Sequence, residues 1–273
     1  MKHETTGTRA AGHARVIALG LAATAVLAGC VGPRGRRWDF DLPTTKRVAK
    51  AALDAALTPS VIAPALGAAV FQADGWDRKV SSWAHDRTPL YGSVQSARDW
   101  SDRLLYVSLG ASGALAVATP TGPDFTYDVR LKAMELGLGG AALGTAVGAT
   151  EALKLTVDRQ RPYSHSTTSF PSGHASAAAV STALSHYYID HLPLPELAKW
   201  PIHGAYAALP YAVGWARVEG GNHFPSDTLA GIALGNFFGN FVNELLEVDP
   251  DDSLRLSLTP WTDGVYVGVS MRW

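Results

Sequence analysis

The sequence predicts an all-α protein, a multi-helix bundle that ends in a C-terminal β-hairpin. Apolar segments recur along the chain and are separated by polar stretches or by glycine and proline breaks, which is typical of helices in a bundle. Near the C-terminus the pattern changes to an alternation of apolar and polar residues, which is typical of strands. The predicted helices span residues 46–57, 60–72, 93–118, 126–154, 173–189, 201–217 and 226–246.

The alternating C-terminal segments, residues 254–258 and 265–273, flank a predicted turn. Pro260 and the pair Asp263-Gly264 lie between them, and such residues favour a hairpin connection. An isolated hairpin is only marginally stable, so we expect this one to pair with another element or to remain an edge.

The N-terminal residues follow the pattern of a secretory signal peptide. A polar, basic segment precedes an apolar run from Val16 to Leu27, which is too short for a spanning helix of ~20 residues. The run ends in Leu27-Ala28-Gly29-Cys30, which resembles the lipobox of bacterial lipoproteins, in which the cysteine is acylated and becomes the mature N-terminus. Cys30 is the only cysteine of the chain and cannot form an internal disulfide. The alternative is an ordinary signal peptide with a chance cysteine.

These features predict a lipoprotein of the cell envelope, held at a membrane by its lipid anchor. Val31 stands where the lipoprotein pattern places aspartate for inner-membrane retention, which implies the periplasmic face of the outer membrane. We expect a signal peptide over 1–29, a lipidated N-terminus and linker over 30–45, a helical domain over 46–250 and the hairpin over 251–273. The net charge of −1 argues against a nucleic-acid binder.

One predicted helix carries Gly140, Gly144 and Gly148 at four-residue spacing, which predicts a smooth face for close helix packing. Such a face occurs in membrane helices and in tightly packed soluble bundles. The uncharged runs of the chain are all broken by glycine, proline or asparagine, so none is a clean apolar stretch of ~20 residues. The pattern therefore favours a helical domain anchored by lipid over a multi-spanning one.

Arg217, His223 and Asp227 form a candidate phosphate-handling site, at separations of six and four residues. A guanidinium supplies a planar fork of donors that matches phosphate oxygens, and an imidazole can attack phosphorus or carry a proton near neutral pH. A carboxylate one helical turn beyond the histidine can hold one ring nitrogen so that the other faces a substrate. The spacing alone also occurs by chance, so the remaining parts of a site have to be found elsewhere in the chain.

Two upstream segments supply those parts. Lys154 and Arg161 bring two cations seven residues apart, and residues 171–174 form a Pro-Ser-Gly-His turn before an alanine-rich run that predicts a helix. Backbone N–H groups at a helix start point at anions, and a glycine lets the backbone approach closely. Ser172 and Gly173 are therefore candidate phosphate-binding residues, together with the three cations.

In this order the segments resemble the type 2 phosphatidic acid phosphatase superfamily. Its motifs are a lysine, six residues and Arg-Pro; then Pro-Ser-Gly-His; then Ser-Arg, five residues, His, three residues and Asp. The resemblance covers residues 154–227. Ala216 departs from the pattern, because it stands where the third motif has serine, and it removes one hydroxyl from the pocket.

The resemblance implies a role for each residue. His223 is the nucleophile, which attacks phosphorus to give a phosphohistidine that water hydrolyses. Asp227 orients the His223 ring and stabilises its positive charge. His174 is the general acid that protonates the leaving oxygen. The three cations stabilise the transferring phosphoryl group, so the resemblance implies neither a metal nor another cofactor.

The function implied is that of a metal-independent phosphatase, acting on lipid phosphates such as phosphatidic acid or on small periplasmic phosphoesters. Two alternatives stay open. One is a vanadium-dependent haloperoxidase, because vanadate occupies the same anion pocket in one branch of the family. The other is a non-catalytic envelope lipoprotein, against which the complete set of charged site residues argues. The histidines outside the motifs are interpreted as ordinary surface or core residues: His85, His165, His186, His191 and His203.

Overall fold

The computed structural model describes residues 38–120, 125–246, 253–261 and 264–271 of the 273-residue chain. Helices dominate these ranges, which confirms the predicted helical class. The helices are α1 (Thr45–Ala56), α2 (Pro59–Gln72), α3 (Trp76–Arg87), α4 (Val94–Ala118), α5 (Phe125–Val157), α6 (Gly173–Asp190), α7 (Glu196–Glu219) and α8 (Pro225–Leu246), and the strands are β1 (Trp38–Pro43), β2 (Ser253–Trp261) and β3 (Gly264–Met271). The predicted signal peptide, residues 1–29, and Cys30 lie outside the described residues.

Helices α6 and α8 run parallel and share the most extensive helix–helix contact among the described elements. On α8, Gly231, Gly235 and Gly239 lie at four-residue spacing and face α6. A methyl group on Gly231 or Gly235 would clash with a carbonyl oxygen of α6. The N-terminal ends of the two helices are joined by a hydrogen bond of 2.9 Å from the Ser172 N–H to the Asp227 carbonyl oxygen. The glycines therefore bring the first turns of α6 and α8 into direct backbone contact.

The glycine face predicted on α5 is wrong for two of its members. A methyl group on Gly140 or Gly144 would meet no atom within 4 Å. The close-packing glycines belong to α8 instead. Four-residue spacing occurs on both helices, and the spacing alone does not tell which face meets a neighbour.

Helix α3 was not predicted, because its buried face is not apolar. Its buried residues are Asp77, Ser81 and Ala84, a polar and small stripe at helical spacing. Gly75 precedes the helix in a left-handed conformation with φ 69°, and Thr88 follows it with φ 38°. A search for apolar runs misses a helix that turns a carboxylate inward, and this carboxylate reaches the functional site.

The strands form a three-stranded antiparallel sheet in the order β1-β2-β3. Leu254 of β2 lies opposite Met271 of β3, and Trp261 lies opposite Gly264. Strand β1, inside the segment predicted as a linker, pairs with the other edge of β2 and was not predicted. A third strand adds pairing that an isolated hairpin lacks.

The main apolar core lies at the end of the bundle away from the first turns of α6 and α8. Its large buried side chains come from α5 and from the second halves of α6 and α8, and include Leu138, Tyr188, Phe238, Phe241 and Leu245. Burial of such side chains contributes about 1.5–3 kcal/mol each, so this end supplies much of the apolar stabilisation. The polar site occupies the opposite end.

Among the described helices, none by itself has the length and hydropathy needed to cross a membrane, whereas Thr45–Ala56 together with Pro59–Arg87, bent by 55°, meets the requirement by length and composition.

Candidate active site

His223 lies between α7 and α8 and is only 2% exposed. Its Nδ1 is 2.7 Å from the carbonyl oxygen of Ser169. A carbonyl oxygen only accepts hydrogen bonds, so the ring N–H is at Nδ1 and Nε2 keeps its lone pair. Burial, followed by the positive charge of Arg217, holds the pKa of His223 well below its usual value. The ring is therefore neutral at neutral pH, which is the nucleophilic form of imidazole.

The three predicted cations converge on this ring. After burial, the charges of Arg217, Arg161 and Lys154 lower the pKa of His223. Arg217 is itself buried, and burial, followed by the charge of Arg161, lowers the pKa of its guanidinium to about 10, so it stays protonated at neutral pH. Lys154 reaches the start of α6, because a methyl group on Gly173 would lie 3.6 Å from its Nζ. The cations thus surround the ring and the first turn of α6.

Several donors at this place are unsatisfied. Nε of Arg161, Nε of Arg217 and the hydroxyl of Ser172 are buried without a hydrogen-bond partner in the part of the chain that the structure describes. Ser172 is the N-cap of α6, which begins at Gly173 as predicted, and the first intrahelical bond of α6 runs from the Ser176 N–H to the Ser172 carbonyl at 3.0 Å. The N–H groups of residues 173–175 precede that bond. Buried polar groups are normally paired, and an anion with several oxygens would pair these.

His174 lies on the half-exposed side of the site, between α6 and α4. Its Nε2 is 2.9 Å from Oδ1 of Asp102 on α4. Burial and the charge of Arg217 lower the pKa of His174, while the hydrogen bond and the charge of Asp102 oppose that change. Helix α4 also supplies Ser101, to whose hydroxyl Nη1 of Arg217 donates at 3.2 Å. Helix α4 therefore supports both His174 and Arg217.

Glu219, the last residue of α7, fixes α4 at this position. Its buried carboxylate accepts from the N–H groups of Leu90 and Tyr91 at 3.0 and 3.1 Å and from the indole N–H of Trp215 at 2.6 Å. These bonds tie the segment between α3 and α4 to the end of α7. Arg217 lies two residues before Glu219, so the same contact sets the distance between Arg217 and α4.

Asp227 is placed differently from the prediction. Its Oδ2 lies 4.0 Å from Nδ1 of His223, too far for a hydrogen bond. The Ser169 carbonyl holds the ring instead, and Asp227 accepts from the Ser169 hydroxyl at 2.6 Å and from the Phe224 N–H at 2.8 Å. Asp227 thus contacts the ring's hydrogen-bond partner and not the ring. Burial raises the pKa of Asp227 to about 6, and the charge of Arg159 is the largest opposing effect.

The structure adds a buried ion network that sequence reasoning missed. Nη1 of Arg159 lies 2.5 Å from Oδ1 of Asp227, and Nη2 lies 2.8 Å from Oδ2 of Asp77. Asp77 also accepts from the N–H of Ser226 at 2.9 Å and from the Ser226 hydroxyl. Arg159 therefore bridges α3 and the first turn of α8.

The site residues that the sequence analysis missed differ in how visible they were in the sequence. Arg159 lies inside the first motif segment, two residues before Arg161, so it was visible as a further cation. Asp77 and Asp102 lie far from the motifs in sequence and had no distinguishing pattern. Only the folded chain brings these two carboxylates to the site.

A second histidine cluster lies elsewhere, between α6 and α7. Nδ1 of His186 is 2.6 Å from Nδ1 of His203, whose Nε2 is 3.0 Å from Oδ1 of Asp190. The polar groups of this cluster bond one another. By contrast, Arg161, Arg217 and Ser172 near His223 each keep a buried polar atom without a partner among the described residues. Within the described ranges, no group of three or more His, Cys, Asp or Glu side chains is placed to hold a metal ion.

The first turns of α6 and α8 bring the predicted cations and both motif histidines together within one helical bundle. Residues 136–248, which contain every residue of the predicted phosphate site, match the PAP2 superfamily. This match covers less than half of the chain.

Two curated relatives match parts of the chain. Phosphatidylglycerophosphatase B of Bacillus subtilis is 35% identical over 89 residues, which are 30% of this chain and 44% of that protein. Lipid A 1-phosphatase of Porphyromonas gingivalis is 30% identical over 131 residues, which are 46% of this chain and 28% of that protein. The matched regions thus span less than half the length of either relative.

Among solved structures, the chain aligns with one described as the first transmembrane PAP2 type phosphatidylglycerolphosphate phosphatase from Bacillus subtilis. The alignment has a TM-score of 0.49 and 23% sequence identity, and covers 73% of this chain and 95% of that chain.

Proposed function

We propose that this protein is a phosphatase that hydrolyses phosphomonoesters through a phosphohistidine on His223. The observation that carries the proposal is the buried, neutral ring of His223, whose N–H is donated to the Ser169 carbonyl so that Nε2 is free to attack. The match of residues 136–248 to the PAP2 superfamily and the names of the two relatives, both phosphatases, support the reaction class.

In the first step Nε2 of His223 attacks phosphorus, and the bond between phosphorus and the leaving oxygen breaks. Protonated His174 donates its proton to that oxygen, so the alcohol leaves as a neutral molecule. Arg161, Arg217 and Lys154 offset the negative charge on the equatorial phosphoryl oxygens. The N–H groups at the start of α6 add neutral donors to the same oxygens.

In the second step a water molecule attacks the phosphohistidine, and the bond between phosphorus and Nε2 breaks. His174, which gave its proton in the first step, accepts one from this water. In the intermediate the His223 ring is positively charged, and the Asp227 carboxylate, 4.0 Å from Nδ1, stabilises that charge. Since side chains supply the positive charge around the phosphoryl group, we propose that the reaction needs no metal.

We propose a lipid phosphate as the substrate, because an apolar cavity adjoins the site. A cavity of about 520 Å³ lies between α2 and α8, and its walls are mostly alanine, valine, leucine and phenylalanine. Leu153, Pro171 and Ser226 of its wall directly precede Lys154, Ser172 and Asp227 in the chain. An acyl chain would bury apolar surface there while its phosphate reaches the cations. The names of both relatives, which refer to lipids, agree with this choice.

We further propose that Cys30 is acylated and anchors the protein to the periplasmic face of the outer membrane. The apolar run and the Leu-Ala-Gly-Cys sequence support this proposal. Mass spectrometry of the wild-type protein should show a mature N-terminus that begins at Cys30 and carries acyl chains, and Cys30→Ser should keep the uncleaved N-terminal segment. A Cys30→Ser protein processed like the wild type, or a wild-type Cys30 without acyl chains, would contradict it.

The decisive experiment is phosphate release from phosphatidic acid, phosphatidylglycerophosphate and p-nitrophenyl phosphate. His223→Ala should abolish release, and His191→Ala, which changes an exposed histidine, should leave it unchanged. His174→Ala should lose activity mainly on substrates with poor leaving groups, since only these need a proton. Normal turnover by His223→Ala would refute the nucleophile assignment, and vanadate-dependent halide oxidation without phosphate release would favour a haloperoxidase.

The cavity is tested with Ala65→Trp, which places an indole on its wall. We expect kcat/KM to fall about tenfold or more for a long-chain phosphatidic acid and to stay within about twofold for p-nitrophenyl phosphate, because only the former loses apolar burial. Equal effects on both substrates would refute the acyl-chain assignment.

A further inference from the structure

The buried network behind His223 has a more specific role than holding helices together. The ring N–H of His223 is directed by the Ser169 carbonyl, so whatever fixes Ser169 also fixes which ring nitrogen is free. Two contacts fix Ser169. Its N–H donates to the Arg159 carbonyl at 3.0 Å, and its hydroxyl donates to Asp227 at 2.6 Å.

Both of these contacts lead to Arg159. The backbone of Arg159 receives the Ser169 N–H, and its guanidinium pairs with the same Asp227 that receives the Ser169 hydroxyl. A lysine at this position could not reproduce the contact, because one ammonium cannot bond two carboxylates with the planar fork of a guanidinium. Arg159 thus closes a ring of contacts around Ser169.

Asp77 holds the other arm of that fork. It pairs with Nη2 of Arg159 at 2.8 Å and accepts from the Ser226 N–H at the start of α8. The Arg159 guanidinium also lies over the Phe224 ring, 4.2 Å from its centroid. These contacts fix the guanidinium between α3 and α8, and they use both of its terminal nitrogens.

The charges of the network suit the reaction proposed above. Asp77, Arg159 and Asp227 together carry one net negative charge, and they lie on the Nδ1 side of His223. The cations that face the substrate lie around the same ring, so a proton or phosphoryl group on His223 would otherwise meet only positive charge. A net negative network behind the ring offsets the positive charge of a phosphohistidine.

We propose that Arg159 and Asp77 are positioning residues for the nucleophile: through Ser169 and Asp227 they hold His223 as the single tautomer with its N–H at Nδ1. This inference rests on the proposed function. Neither residue touches the substrate, so both act on kcat through His223 and leave substrate binding to the cations.

The test compares Arg159→Met with Lys199→Met in the full chain. Lys199 is a buried cation between α6 and α7 that donates to the Asp190 carbonyl at 2.7 Å and pairs with Glu196 at 2.9 Å, so it controls for the loss of a buried charge. Arg159→Met should lower kcat about 10²-fold with KM changed less than about threefold, because a misplaced reacting group costs rate and not binding. Arg159→Lys should recover part of the loss, and Lys199→Met should change neither constant.

The pH profile separates positioning from stability. The groups that face Asp227 are Arg159 and Ser169 from the segment before α6, Asp77 from α3, and His223 and the Phe224 N–H from the segment before α8. The charge of Arg159 lowers the pKa of Asp227 and that of Asp77 raises it. The acid limb of kcat should therefore move to higher pH in Arg159→Met and to lower pH in Asp77→Asn.

Nitrogen NMR of histidine-labelled protein reads the tautomer without any substrate. His223 should show one protonated nitrogen, Nδ1, in the wild type and in Lys199→Met, and a tautomer mixture in Arg159→Met. An unchanged tautomer and unchanged acid limb in Arg159→Met would overturn the inference, even if kcat fell. A wild type without phosphate release would refute the proposed function alone, since the tautomer comparison still decides the positioning role. If Arg159→Met does not fold, Arg159→Lys is compared in the same way.

Discussion

The two sides of the His223 ring differ in how their polar groups are satisfied. On the substrate side, Arg161, Arg217 and Ser172 each keep a buried polar atom without a partner among the described residues. On the other side, the carboxylates of Asp77 and Asp227 each accept several hydrogen bonds. Unpaired buried groups are costly in a folded protein, whereas paired ones hold a geometry. The difference separates the groups proposed to bind a phosphate from those that hold the proposed nucleophile.

The largest expected effect on the substrate side comes from Arg217→Met. The guanidinium stabilises charge that develops on the phosphoryl oxygens, so kcat/KM should fall about 10³-fold. The unfolding temperature should change little or rise, because a buried cation with an unpaired Nε is removed. Arg103→Met, which removes an exposed arginine that lies over the Trp100 ring, is the control and should keep full activity.

Two serines test the comparison most directly, since one lies on each side of the ring. Ser172→Ala removes a hydroxyl that has no partner among the described residues, so stability should stay within about 0.5 kcal/mol while the inhibition constant of inorganic phosphate rises about tenfold. Ser169→Ala leaves Asp227 without one donor and should cost about 1–3 kcal/mol of unfolding free energy. Urea unfolding and phosphate inhibition measure both variants. The difference between the two sides would be refuted if Ser172→Ala lowered the free energy of unfolding and Ser169→Ala weakened phosphate inhibition.

A smaller effect is expected from Asp102→Asn, and it appears as a shift in pH dependence. His174 has to be protonated to act as an acid, and burial keeps its pKa below the usual value of 6.5, so kcat/KM should fall as the pH rises through that lowered pKa. The hydrogen bond and charge of Asp102 raise the pKa of His174. Their removal should move the basic limb of kcat/KM to still lower pH. A shift to higher pH in Asp102→Asn would contradict this assignment.

The smallest effect is expected away from both sides of the ring, at the histidine pair between α6 and α7. His203→Gln breaks the contacts with His186 and Asp190. We expect kcat/KM for phosphatidic acid to stay within about twofold of the wild type, because none of these residues is part of either side of the site. A tenfold loss of activity would mean that the site extends beyond the two sides of the His223 ring.

The sequence motifs led to Lys154, Arg161, Arg217, His174 and His223 as candidate site residues, and the structure brings these side chains together. The start of α6 at Gly173 was predictable too, since an alanine-rich run follows it. The prediction that Asp227 holds the His223 ring was wrong for the hydrogen bond itself. A spacing of four residues places the carboxylate near the ring, but it does not determine which acceptor receives the ring N–H. The Ser169 carbonyl receives the ring N–H. Every residue has a backbone carbonyl, so the sequence does not show which one acts as the acceptor.

Helices that bury apolar side chains were predicted from the sequence, whereas elements without an apolar buried face were missed. Helix α3 turns Asp77, Ser81 and Ala84 inward and so lacks an apolar stripe. Strand β1 is recognisable only through its pairing with β2, far away in the sequence. The sequence pattern therefore predicts the helices of the apolar core, but not the helix that carries Asp77 to the site.

The glycines of α8 have a consequence for the proposed reaction. Because Gly231 lets the backbone of α8 contact that of α6 at Ser172, the N–H donors of α6 and the carboxylate of Asp227 belong to one stiff unit. In the proposed reaction, the groups that meet the phosphoryl oxygens are therefore held in place before charge develops on those oxygens. Such preorganisation is a large part of how enzymes lower a reaction barrier.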